Sequence, residues 1–100
     1  MKSLILALLI SLTAQADYVD QCDTVKKAAL AVMIARQNNM SAATLLKITH
    51  DRPVRPNHVL NKILITDAYQ EKVEVSQIQK NAAATLFAVK YYDKCWTGQV

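Results

Sequence analysis

Apolar residues recur along most of this chain at the three- and four-residue spacings of helices. From Tyr18 to Gln37, Cys22, Val25, Ala29, Val32, Met33 and Arg36 form one stripe of a first helix. Asp17, Asp20 and Asp23 crowd its first turns, where negative charge suits the helix dipole. Asn38-Asn39 can end it, because asparagine tolerates the left-handed backbone. Ser41 is a good N-cap for a short second helix to about Thr49, burying Leu45, Leu46 and Ile48 in some combination. Pro53 and Pro56 bias Arg52 and Arg55 away from helix, so Asp51 to Pro56 is extended or turned. Asn57 caps a third helix to about Lys72 with Val59, Leu60, Ile63 and Leu64 inward; the β-branched "ILIT" is ambiguous, but with no second strand to pair with it is read as helix. Ser76 and Gln79 form a capping box for a last helix of about five turns. There Gln79, Lys80, Ala83, Lys90 and Lys94 make a narrow polar arc. Ile78, Ala82, Leu86, Ala88, Val89, Tyr91, Tyr92 and Trp96 cover most of the remainder, which predicts a central helix with several neighbours.

The opening "MKSLILALLISLTAQA" changes the length that has to fold. Lys2, the apolar run Leu4 to Leu12 and small residues at Ala14 and Ala16 follow the pattern of a secretory signal peptide, residues 1–16, cut after Ala16. The run is about half of the ~20 apolar residues that a spanning helix needs, so no stable membrane insertion is expected after cleavage. Residues 17–100 then form a single helical domain. Its size leaves a thin stability margin. Cys22 and Cys95 are the only cysteines, and in an exported chain they predict a disulfide. That bond ties the start of the first helix to the end of the last and makes the two antiparallel, with the early aspartates facing Lys90 and Lys94. The expected fold class is all-α, a small four-helix bundle with one disulfide linking the first and last helices.

Charge and candidate chemistry narrow the function less. Without Lys2, eleven basic residues stand against eight acidic ones, spread along the chain rather than in a basic stripe with stacking aromatics, so nucleic acid is not an expected partner. His50, Asp51 and His58 are the one set with metal-binding or catalytic potential. The histidines stand eight apart across a proline loop, with no free cysteine to join them. The same disulfide removes a cysteine nucleophile, and one glycine, Gly98, cannot build a nucleophile elbow or a phosphate cradle. Asp67, Glu71 and Glu74 fall at i, i+4 and i+7, a pattern of paired carboxylates or of a solvated face. The partner-binding candidates are Arg52 and Arg55, stiffened by two prolines, with His50 and His58 beside them. Arginine is enriched at binding hot spots, and stiffness lowers the ordering cost.

Three stretches, "MIARQNNMS" (33–41), "ILITDAY" (63–69) and "FAVKYYDKC" (87–95), together with the leader and early cysteine, carry a resemblance. The chain resembles a group of small secreted, disulfide-containing helical proteins of Gram-negative bacteria and their phages or prophages, a group with no assigned activity. The resemblance implies an envelope address and transfers no catalytic residues. The expected function is therefore a non-enzymatic periplasmic or secreted interaction factor, with no cofactor, acting on a protein partner in the cell envelope. A phage or prophage accessory role is one form of it. The alternatives are a small acid-stress-type periplasmic chaperone, matched in architecture only, and a metal protein or enzyme built on His50, Asp51 and His58.

Overall fold

A computed structural model describes the backbone of residues 2–52 and 56–100, and the side chains of residues 20–52 and 56–100. It contains four helices: α1 (Lys2–Gln37), α2 (Ala42–Asp51), α3 (His58–Ala68) and α4 (Gln77–Trp96), with no strand among the described residues. The "ILIT" stretch lies inside α3. The Cys22–Cys95 disulfide is formed, with Cα atoms 5.5 Å apart, and both residues are buried. It joins α1 to the end of α4 and makes the two helices antiparallel, an all-α bundle with its first and last helices stapled.

Local chemistry sets the helix ends. Ser41 accepts from the Thr44 N–H, Asn57 from the Leu60 N–H, and Ser76 with Gln79 forms the full capping box. Each satisfies N–H groups that the first turn leaves without a helical partner. At the end of α1, Asn39 takes a φ of +65°, and the N–H groups of Asn39 and Met40 return to the carbonyls of Arg36 and Ala35. Those two bonds define a Schellman stop. Gly98, φ +73°, ends α4 in the same way, with Gly98 and Gln99 donating to Cys95 and Lys94.

The first helix begins earlier than the stripe predicts. It runs unbroken from Lys2 through the expected cut after Ala16, so Asp20 and Asp23 lie mid-helix and not in a first turn. The apolar leader residues are themselves good helix formers, which continues the helix across the junction.

The centre of the bundle is α1, not α4. Val25, Ala29, Val32 and Met33 meet Leu60, Leu64, Ile65 and Ala68 of α3 and Ala84, Phe87 and Tyr91 of α4 in one core. Both α3 and α4 pack on α1, and α2 rests mainly on α3. The wide apolar coat of α4 is thus only half used. Ala84, Phe87, Ala88, Tyr91 and Cys95 are buried, while Ile78, Leu86, Val89 and Trp96 remain exposed. In α3 the buried stripe is Leu60, Asn61, Leu64, Ile65 and Ala68, leaving the predicted inward residues Val59 and Ile63 outside. No residue of α2 is fully buried; Leu46 and Ile48 are exposed and Leu45 only half-buried.

Two polar ties complete the packing. Gln37 is buried at the end of α1, where its Nε2 donates to the Lys72 carbonyl (2.9 Å) and its Oε1 accepts from the Glu74 N–H (2.8 Å). The Lys80 Nζ donates to the Gln37 carbonyl (2.7 Å), and the Arg36 Nε donates to the Glu71 carbonyl (3.1 Å). These bonds hold the 71–74 connection against the end of α1, while α3 itself closes at Ala68 with the Gln70 and Glu71 N–H groups turning back to the Asp67 and Ala68 carbonyls.

Candidate functional site

The joint between α2 and α3 brings both histidines together. His50 stands in the last turn of α2 and His58 opens α3; the backbone is extended at Arg52 and Asn57, and the two rings lie 6.4 Å apart. Both are exposed, as are Asp51 and Arg52. The Arg52 N–H caps α2 by donating to the Ile48 carbonyl (3.2 Å). Arg55, the second arginine of the expected contact surface, lies outside the described residues. Among the described residues no three His, Cys, Asp or Glu side chains group closely enough to hold a metal ion, so Asp51 does not complete a set with the two histidines.

From His58 an open groove of about 750 Å³ runs between α3 and the end of α4. Val59, Leu60, Ile63 and Val100 give it an apolar surface, with His58 and Lys94 among its polar lining. Val59 is 72% exposed and Ile63 47%. A shallower face continues past them along α3 beside Lys62 and Asp67. The combination is apolar side chains bordered by mixed polar groups, with the ammonium groups of Lys62 and Lys94 among them.

Behind the groove stands a charged cluster. Asp67 Oδ2 accepts from the Lys90 Nζ (2.7 Å) and from the Tyr91 hydroxyl (2.6 Å). Partial burial works to raise the Asp67 pKa, but the bonds from Lys90 and Tyr91 and the charges of Lys90 and Lys94 outweigh it and hold the carboxyl below its ordinary value. Burial, reinforced by the Asp67 bond and charge, pushes the Tyr91 phenol well above its usual range. Both shifts favour the arrangement as it stands: a carboxylate held by a cation and a neutral phenol. That is a structural tie of α3 to α4, with no poised acid, base or nucleophile in it.

Several expected groupings do not form. The helix ends before Glu71, so Asp67, Glu71 and Glu74 share no helical face. Lys90 meets Asp67 of α3, while the Lys94 ammonium lies 5.2 Å from the Tyr91 ring centre; the α1 carboxylate Asp23 pairs with Lys27 on its own helix. A second open groove, about 550 Å³, lies over Met33 and Phe87 between α4 and the 71–74 connection, with Glu71, Glu74 and Lys90 in its lining. Gln37, which holds that connection, was not among the expected residues. Its position four after Met33 on the buried stripe was the signal that could have found it.

Comparison of the chain with family models, curated proteins and solved structures gives no match.

Proposed function

We propose that this protein is a non-enzymatic interaction factor exported to the periplasm, and that the α2–α3 joint with the adjoining α3 groove is the face that meets an envelope partner. The disulfide supports the compartment, because such bonds persist in oxidising spaces. Among the described residues no helix is long and apolar enough to cross a membrane. The observation that carries the binding reading is the exposure of Val59 and Ile63 beside His58, Lys62 and Lys94. Exposed apolar surface bordered by polar groups marks contact sites. A phage or prophage accessory role is the form that the resemblance of 33–41, 63–69 and 87–95 favours.

The test is capture of partners from envelope extracts under oxidising conditions, with Val59→Asp and Arg52→Ala/Arg55→Ala variants alongside. One dominant partner, lost with Val59→Asp while the melting temperature is unchanged, is the expected result. A partner retained by both variants would move the interface elsewhere, and empty lanes would remove the reading.

A second reading, an acid-responsive chaperone, is favoured by one observation: the α3–α4 tie depends on an ionised Asp67. It predicts apolar dye binding that appears below about pH 4. Native near-ultraviolet dichroism with no dye binding at pH 3 would dismiss it.

A further inference from the structure

The outer face of α4 carries a second apolar seam. Ile78, Ala82, Thr85, Val89, Tyr92 and Trp96 follow one another at alternating spacings of four and three, the a/d register of a coiled coil. None is charged. All but Tyr92 are exposed; Tyr92, at the edge of the seam, is half-buried against the core with the Lys26 ammonium of α1 5.4 Å from its ring centre and the Trp96 ring 6.1 Å away, edge to face. Leu86, 70% exposed, borders the seam. The residues buried against α1, Ala84, Phe87, Ala88, Tyr91 and Cys95, form a separate stripe that adjoins the seam along its Tyr92 edge.

We infer that this seam is the interface of a homodimer in which two α4 helices pack antiparallel about a twofold axis near Phe87. In that register every a position meets a d position: Trp96 of one copy lies over Ile78 of the other, Tyr92 over Ala82, and Val89 over Thr85. Bulky residues meet smaller ones in each layer, and the pattern closes on itself, as an isologous interface requires. A parallel pair would stack Trp96 on Trp96 and Ala82 on Ala82, one layer overfilled and the other empty. At the border, Leu86 meets Leu86 across the axis, and Gln79 stands opposite Asp93, an amide donor for a carboxylate. No like charges oppose each other. The seam and Leu86 offer on the order of 600 Å² of accessible surface per copy, approaching the roughly 800 Å² of a standard interface. That is a large patch to leave in water on a chain of this size.

The test uses the protein exported from a Gram-negative host and purified with its disulfide intact. Sedimentation equilibrium around micromolar concentration should give a dimer. Leu86→Lys should weaken it by about 30-fold or more, the range of an interface hot spot, with unchanged helical dichroism. Thr85→Glu and Val89→Lys should each weaken it, and the double variant should recover it, because the antiparallel register brings the two introduced charges face to face. A monomer at all concentrations, or a dimer indifferent to Leu86→Lys, would overturn the proposal, and a double variant no tighter than either single would overturn the register. A monomer that sediments instead with phosphatidylglycerol vesicles would assign the seam to lipid and likewise refute the dimer.

Discussion

Gln37 holds more of this structure than any exposed charge does. Its amide satisfies a carbonyl and an N–H of the 72–74 connection at once, from a site 2% exposed. Gln37→Ala would strip both backbone groups of their partner, and leaving buried groups unsatisfied costs about 1–3 kcal/mol each. Because the 72–74 backbone is only part-buried, a loss of about 2–3 kcal/mol by chemical denaturation is expected; a loss below about 0.5 kcal/mol would show that water replaces the amide fully. Asp67 sets the acid limb. Its folded pKa lies below the ordinary 3.8, so its stabilisation is complete above that value and is lost as pH falls through the folded one. Asp67→Asn should therefore be less stable than the parent at pH 7 and lose less on going from about pH 4 to pH 2. Parallel acid limbs in parent and variant would mean that another carboxylate controls the transition.

At the scale of the element, what was legible depended on whether local chemistry or distant partners decided it. The starts of α2, α3 and α4 were written in Ser41, Asn57 and the Ser76–Gln79 box, and the end of α1 in Asn38-Asn39, because a cap needs only neighbours within one turn. The end of α3 was not, since no capping residue marks Ala68 and the connection beyond it is held by Gln37 and Arg36 from more than 30 residues away. The burying face of α3 was misread for a similar reason. Val59 and Ile63 are as apolar as Leu60 and Leu64, and only the position of α1 decides which pair goes inside. Of the candidate site, the sequence placed His50 and His58 on either side of the proline joint, but the 6.4 Å approach of their rings and the groove beside them needed the helices to be placed first. The least secured element is α2. Ten residues are too few for a stable isolated helix, and none of these is buried. Its amides should exchange with solvent well ahead of those of 84–91, which should exchange only on global unfolding. Equal protection of α2 and α4 by hydrogen exchange would show that α2 is held by something other than its contact with α3.

For the molecule as a whole, stability rests on the α1–α4 pair, fastened differently at its two ends. At one end Gln37 and Lys80 join the helices by hydrogen bonds, and at the other the Cys22–Cys95 bond does so covalently. The two cysteines are 73 positions apart, so the bond closes most of the folded chain into one loop. In the chain-entropy account, restraining an unfolded loop of that size stabilises the native state by about 4 kcal/mol. A domain of this length has a total stability of only about 4–12 kcal/mol. Reduction thus removes a third or more of it, and the melting temperature should fall by roughly 15–30 °C. Cys22→Ser/Cys95→Ser should reproduce the fall without a reductant, which separates loss of the bond from any other effect of the reagent. The loss should not spread evenly. Tyr91 and Val25 lie within one helical turn of the cysteines, whereas Gln37 keeps its own bonds at the far end. Hydrogen exchange on the reduced protein should therefore show the 22–29 and 88–96 segments opening first while 33–37 and 80–84 stay protected. Uniform opening of both helices would mean that the pair unzips as one unit, and that the Gln37 end has no stability of its own.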